Sequence, residues 1–137
     1  MSEPTKRKPG EVTAGAVADV GDFFSFRTND LIQMGFGFSR DAAEKFLTQH
    51  QARKLIEQDP FTSLDTTGVG RLIRIGIEQG RARKSALKLG VCGEHGGDSA
   101  SISFFNAVGL DYVSASPYRI PNARLAAAQA VLVARES

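Results

Sequence analysis

Leu89–Asp98 reads LGVCGEHGGD, and this segment decides how the rest of the chain is interpreted. It is a short apolar run ending in Cys92, the only cysteine, followed by glycines interleaved with Glu94 and His95. A short apolar run bounded by glycines is typical of a buried strand of a parallel sheet. Because glycine has no side chain, the backbone past the strand can approach a bound ligand closely. Cys92 is therefore predicted to lie at the end of a buried strand, close to a ligand.

Two further strands are predicted on either side of this one along the chain. The three predicted strands are Phe23–Phe26, Lys88–Cys92 and Asp111–Ala115. After the first strand, Gly35 and Gly37 predict a long loop. Strands that are separated by helices at this spacing indicate parallel βαβ units and therefore an α/β fold.

Helices are predicted between and after the strands. Ser39 is a suitable cap for a helix that contains Asp41 in its first turn and runs to about Glu57. The other predicted helices begin near Thr67, span Ser99–Val108, and run from Pro121 to about Arg135. Residues 1–20 are rich in polar and small side chains, and they predict a partly disordered polar tail with a short helix near Ala14–Val20.

Further motifs accompany the cysteine loop Cys92–Gly97. They are Thr28–Leu31 (TNDL), Phe36–Asp41 (FGFSRD), Gly109–Ser114 (GLDYVS), Ser116–Arg119 (SPYR) and Ala123–Gln129 (ARLAAAQ). In this order they resemble the C-terminal phosphoenolpyruvate-binding barrel of the pyruvate, phosphate dikinase family of PEP-utilising enzymes. The resemblance implies that residues 21–137 form the last three parallel βα units of a truncated (β/α)₈ TIM barrel. A complete barrel has about 250 residues.

The resemblance gives Cys92 a catalytic role. In the family, the matching cysteine supplies the proton that converts enolpyruvate to pyruvate and removes it in the reverse direction. A thiol suits this role because its pKa can be tuned to near the working pH. By residue type alone, the alternative interpretation of Cys92 is a small buried apolar residue.

The TNDL motif is similar to the family segment that contacts phosphoenolpyruvate and its magnesium ion. A carboxylate oxygen is a hard ligand of the kind that Mg²⁺ prefers, so the resemblance implies that Asp30 binds the metal. Asn29 and Thr28 are then expected to bind substrate oxygens. Taken alone, Asn29 and Asp30 are also typical of a turn after a strand. Arg27 stands where the family has glycine, and it could either crowd the site or pair with the phosphate.

The remaining residues of the cysteine loop have weaker assignments. The resemblance implies that Gly93 and Glu94 shape the loop around the substrate and bind it. His95 is interpreted as a loop residue, because the phosphorylated histidine of the family belongs to a separate domain. Arg119 and Arg124 could orient acidic groups or have roles at the surface and at helix ends.

Several parts of the family's machinery have no counterpart in the sequence. These are the second metal-binding carboxylate, the arginines of the first barrel strands, and the nucleotide-binding and phosphohistidine domains. We therefore expect the C-terminal segment of a dikinase-like enzyme that is inactive alone. Two alternatives stay open: one chain of a split dikinase completed by a partner chain, or a non-catalytic assembly module such as a homodimer.

The composition limits the remaining classes of function. The hydrophobic fraction of 42% is that of a globular protein. A net charge of +2 is too small to indicate nucleic acid or an acidic membrane surface as a partner. The single cysteine and a polar N-terminus without the apolar core of a signal peptide favour a cytoplasmic location. No apolar run has the length that a membrane span requires.

Overall fold

The computed structural model describes residues 13–136, which form three strands and six α-helices. The strands are β1 (Phe23–Arg27), β2 (Lys88–Cys92) and β3 (Tyr112–Val113). The helices are α1 (Ala14–Ala18), α2 (Thr28–Phe36), α3 (Arg40–Ala52), α4 (Val69–Arg83), α5 (Ser99–Ala107) and α6 (Ile120–Glu136). Two 3₁₀ turns, Glu94–Gly97 and Pro117–Arg119, follow β2 and β3.

The three strands form one open parallel sheet in the order β1-β2-β3. The pairing of β1 with β2 begins at Phe23 opposite Lys88 and ends at Arg27 opposite Cys92. The predicted α/β class and the parallel arrangement of neighbouring strands are confirmed. Because all three strands run in the same direction, their carboxyl ends lie along one edge of the sheet.

β3 is shorter than the predicted strand Asp111–Ala115, but backbone bonds continue on both sides of it. The Asp111 N–H donates to the Leu89 carbonyl at 2.7 Å, and the Ser114 N–H donates to Val91 at 2.9 Å. The Asp111 carboxylate in turn accepts a bond from the Leu89 N–H at 2.8 Å. This bond lowers the pKa of Asp111, and the charges of nearby cations lower it further. Partial burial acts in the opposite direction but is outweighed. The Asp111 side chain thus accepts a bond from β2 in place of a backbone carbonyl of β3.

The long loop predicted after β1 is wrong, because helix α2 begins directly after the strand at Thr28. Gly35 lies within this helix, and Gly37 ends it in the left-handed conformation, with φ 71°. A glycine inside a helix costs about 1 kcal/mol relative to alanine. Here Leu31 and Ile32 are buried on the inner face of α2, and the burial of two such side chains outweighs that cost.

Helix α3 begins where the sequence predicted, and the Ser39 hydroxyl accepts a bond from the Ala42 N–H at 3.2 Å. The helix ends at Ala52, however, and the predicted end near Glu57 is wrong. Lys54 adopts a left-handed φ of 54°, and Leu55 beyond it is 68% exposed. A left-handed residue interrupts the right-handed helix, because residues with a side chain adopt this conformation singly and not in helices.

The core lies between the sheet and the helices that pack against it. Phe26, Leu89 and Val91 of the sheet are fully buried, and they share one cluster with Ile32 of α2 and Ile73 of α4. Burial of each such side chain contributes roughly 1.5–3 kcal/mol. A smaller cluster joins α5 to α6. The apolar interior therefore holds the ends of β1 and β2 in fixed register.

The described part of the predicted tail contains α1, in agreement with the short helix expected there. Residues 1–12 lie outside the described residues. Among the helices of residues 13–136, none combines the length and the apolar character needed to cross a membrane.

Candidate functional site

The carboxyl ends of β1 and β2 bring the TNDL segment next to the cysteine loop. The Glu94 N–H donates to Asn29 Oδ1 at 3.4 Å, and Thr28 Oγ1 lies 3.3 Å from the Cys92 carbonyl oxygen. These contacts follow from the register, because Arg27 is paired with Cys92 and the next residues of each segment leave the sheet together. The structure thus juxtaposes Thr28 and Asn29 with Cys92 and Glu94.

Gly93 makes this close approach of the two segments feasible. Its φ of 129° is a conformation that side-chain-bearing residues rarely adopt. A Cβ at Gly93 would lie 2.6 Å from Thr28 Oγ1 and 3.1 Å from Asn29 Oδ1. No space is left there for a side chain. The glycine after the strand therefore brings backbone against Thr28 and Asn29.

Gly96 has a similar role between the loops that follow β2 and β3. It is buried in the turn Glu94–Gly97, and a Cβ there would overlap the carbonyl oxygen of Ser114. A cavity of about 250 Å³ lies at this edge and is lined by Gly93, Glu94 and residues 114–116. The loops after β2 and β3 thus form the walls of this cavity.

His95 lies in the turn that follows β2, consistent with its interpretation as a loop residue, but it is fully buried there. Its Nδ1 lies 2.8 Å from Thr28 Oγ1, and its Nε2 lies 2.7 Å from the Pro60 carbonyl oxygen. Burial lowers the pKa of His95 below its ordinary value, and this outweighs the Pro60 bond, which raises it. Three nearby carboxylates also act to raise it: Asp98, Glu94 and Asp59. Burial therefore favours the neutral form of the His95 imidazole.

Glu94 lies between two arginines. Its carboxylate is 3.4 Å from Arg119 Nη2 and 3.9 Å from Arg40 Nη1, and its carbonyl accepts a bond from Arg119 at 3.2 Å. Arg119 thus orients an acidic group, which is one of the two roles expected for it. Arg40, in the first turn of α3, belongs to the motif Phe36–Asp41, but the sequence predicted no role for it.

The Cys92 thiol is free and half-buried at the end of β2. Asp30 lies in the first turn of α2, and its side chain is 54% exposed and pairs with Arg27 at 3.4 Å. Neither alternative considered for Arg27 anticipated a pair with the predicted metal ligand. Across residues 13–136, no three His, Cys, Asp or Glu side chains are grouped closely enough to hold a metal ion.

Comparison with known proteins identifies the class to which this fold and site belong. Residues 11–132 match the family model described as PEP-utilising enzyme, PEP-binding domain. The chain belongs to this family, in which PEP is phosphoenolpyruvate.

The relatives of the chain confirm the resemblance to dikinases. It is 61% identical over 123 residues to pyruvate, phosphate dikinase of Rhizobium meliloti (strain 1021), which covers 90% of the chain and 14% of that enzyme. It is 57% identical over 121 residues to the Clostridium symbiosum dikinase, covering 88% of the chain and 14% of the relative. The chloroplastic pyruvate, phosphate dikinase 1 of Arabidopsis thaliana is 56% identical over 119 residues. These residues cover 87% of the chain and 12% of the relative. The chain thus spans 12–14% of the length of these curated relatives.

Proposed function

We propose that this chain forms part of the phosphoenolpyruvate and pyruvate site of a dikinase-type phosphotransferase, as the last three βα units of a (β/α)₈ barrel. The observation that supports this best is the contact of Thr28 and Asn29 with the Cys92–Glu94 segment, at 3.3 and 3.4 Å. Both segments follow the carboxyl ends of adjacent parallel strands, where barrel enzymes have their active sites.

Cys92 is the proposed acid and base of the reaction. Its thiol gives a proton to the methylene carbon of enolpyruvate, and the π electrons of the C=C bond form the new C–H bond. The enolate oxygen becomes the ketone oxygen of pyruvate, and the thiolate remains. In the reverse direction the thiolate removes the same proton.

Asn29 is the proposed donor to substrate oxygens. Because Asn29 Oδ1 accepts the Glu94 N–H, the NH₂ end of the side chain is the end that can donate to a ligand. Thr28 is fully buried, so its contribution to binding is to place the backbone at the start of α2. Glu94 and Gly93 form the facing wall, and the arginine partners of Glu94 hold that wall in place.

Magnesium is the cofactor that the family implies, and Asp30 is the residue that would hold it. When bound, Mg²⁺ would neutralise negative charge on the substrate oxygens. One exposed carboxylate that already pairs with Arg27 makes a weak site. We therefore expect the chain alone to bind magnesium and phosphoenolpyruvate weakly and to lack dikinase activity.

An NMR titration with phosphoenolpyruvate tests the proposal. We expect shifts at the amides of Asn29 and Cys92–Glu94 with a dissociation constant of about 1 mM, and a clear loss of affinity in Asn29→Ala. Asn106→Ala is the matched control, because Asn106 is exposed in the last turn of α5, far from the carboxyl edge. Equal affinity in all three proteins, or shifts confined to other residues, would contradict the proposal.

A second candidate function is that of a complementing chain in a split dikinase. Within residues 13–136, β1 and β3 each pair only with β2, and Phe23 on β1 is 66% exposed. Open strand edges are templates for pairing with further strands. The chain should then restore activity to the Rhizobium meliloti dikinase from which the matching segment has been deleted. A stable homodimer without restored activity would favour the assembly module instead.

A further inference from the structure

His95 is held on both ring nitrogens by residues distant in the sequence. The Pro60 carbonyl, 2.7 Å from Nε2, can only accept a hydrogen bond, so Nε2 must carry a hydrogen. In the neutral imidazole the other nitrogen is then an acceptor. Nδ1 therefore accepts the hydroxyl hydrogen of Thr28 across 2.8 Å. Both groups are buried, so water does not compete for these bonds.

The Thr28 hydroxyl has one hydrogen and two acceptors within reach. Nδ1 of His95 lies at 2.8 Å, whereas the Cys92 carbonyl oxygen lies at 3.3 Å. The shorter contact takes the hydrogen when the imidazole is neutral. The state of His95 thus sets the direction of a hydroxyl that lies between the start of α2 and the end of β2.

We propose that His95 is a positioning residue of the candidate site: its neutral Nε2–H imidazole anchors to Pro60 and fixes Thr28. Asn29 and Asp30 follow Thr28 directly in the first turn of α2, and the Cys92–Glu94 segment faces them. Loss of the Thr28 bond therefore loosens both walls of the site without removing any group that contacts substrate. The effect of this loss on ligand binding rests on the proposed function. Its effect on the order of the two segments does not.

Two substitutions of His95 each remove one of its two hydrogen bonds and keep the other. The amide nitrogen of His95→Gln can occupy the place of Nε2 and keep the bond to Pro60, but the variant loses the acceptor for Thr28. The amide oxygen of His95→Asn lies near the place of Nδ1 and keeps that acceptor, but the variant loses the Pro60 bond. Ile77→Val is the control for general destabilisation, because it removes one methylene from a buried residue of α4.

The alkylation rate of Cys92 reports the order of the loop, since it is the only cysteine of the chain. We expect His95→Gln to raise the rate about tenfold, which corresponds to the loss of one buried hydrogen bond. His95→Asn and Ile77→Val should stay within about threefold of wild type, because both keep the hydrogen bond between residue 95 and Thr28, which lies next to the Cys92 segment. Equal rates in the two His95 variants, or a faster rate in His95→Asn, would overturn the proposal in favour of a purely structural histidine.

Two further measurements complete the test. The ¹⁵N chemical shifts of the His95 ring in the wild-type chain at pH 7.5 should show the Nε2–H tautomer, and the Nδ1–H tautomer would refute the proposal even if the variants fail to fold. Phosphoenolpyruvate affinity should follow the inverse order, with the weakest binding in His95→Gln, the variant in which Cys92 is alkylated fastest. If the wild type does not bind phosphoenolpyruvate, the proposed function fails, while the alkylation order still decides the role of His95.

Discussion

The Arg27 guanidinium lies against the Asp30 carboxylate, with Nε 3.4 Å from Oδ2. Arg27 ends β1 and Asp30 lies in the first turn of α2, so the pair spans the strand–helix junction of the candidate site. The two side chains are 71% and 54% exposed, and exposed ion pairs contribute little to stability. The pair therefore matters for the charge that a ligand meets at this junction more than for the fold.

Removal of Arg27 should increase the affinity of Asp30 for magnesium. In the wild type we expect magnesium and phosphoenolpyruvate together to bind at about 1 mM, equivalent to roughly 4 kcal/mol. Arg27→Gly removes the competing cation and should strengthen the magnesium dependence of binding several-fold. Asp30→Ala should abolish that dependence. Titration calorimetry with and without Mg²⁺ measures both effects.

Asp41→Ala is the matched control for this prediction. Asp41 is also an exposed carboxylate in the first turn of a helix, but it lies on α3 and should leave the magnesium dependence unchanged. Micromolar affinity in the wild type, lost in Arg27→Gly, would mean that Arg27 itself binds the substrate. The view of Arg27 as a competitor for Asp30 would then be wrong.

The chain by itself should show no dikinase turnover. It spans 14% of the Rhizobium meliloti enzyme, and the resemblance places the nucleotide and phosphohistidine functions in other domains of the family. Phosphoryl transfer depends on holding the reacting groups in place, and here the groups that bind the nucleotide and carry the phosphoryl group belong to those other domains. A coupled assay for pyruvate formation from phosphoenolpyruvate, AMP and pyrophosphate measures this. Activity above that of a Cys92→Ala control would contradict the expectation.

Acid should destabilise the chain through His95. Burial lowers the pKa of the folded-state imidazole below 6.5, so the unfolded chain binds this proton more readily. The contribution of His95 to stability is therefore fully present above about pH 6.5 and is lost as the pH falls. One proton limits the slope to about 1.4 kcal/mol per pH unit. Urea unfolding between pH 5 and pH 8 measures it.

The same series on His95→Gln isolates the effect of this residue. His50 is present in both proteins, and the lowered pKa of Asp111 keeps its carboxylate ionised throughout the window. The stability difference between wild type and variant should shrink as the pH falls. Parallel curves for the two proteins would show that His95 does not carry the pH dependence.

Substitution of Gly96 should be far more harmful than substitution of Gly35. An added Cβ at Gly96 overlaps the Ser114 carbonyl, and overpacking of this kind typically costs about 1–3 kcal/mol. At Gly35, an exposed position in α2, the nearest atom is Val69 Cγ2 at 3.6 Å, which is ordinary contact. Gly35→Ala should therefore stabilise the chain by about 0.5–1 kcal/mol. Thermal unfolding of both variants tests the contrast, and similar shifts would refute the proposed packing of the two loops.

Features that depend on neighbouring residues could be predicted from the sequence. The bounds of β2 at Lys88 and Cys92 were correct because an apolar run that meets a glycine-rich segment has few other stable conformations. The Ser39 cap was correct because capping involves residues only three positions apart. The prediction of a loop where α2 lies was wrong. Gly35 and Gly37 favour a loop locally, but the burial of Leu31 and Ile32 in the folded core stabilises a helix.

The candidate site also combines features that the sequence predicted with features that only the fold decides. The motifs Thr28–Leu31 and Cys92–Gly97 pointed to the two segments that meet, and parallel strands account for their meeting at one edge. The burial of His95 could not be predicted, because its partners Thr28 and Pro60 lie 67 and 35 positions away. The role of a polar side chain depends on whether folding removes water from it and which distant groups replace that water. Those contacts exist only after the strands have paired and the core has closed.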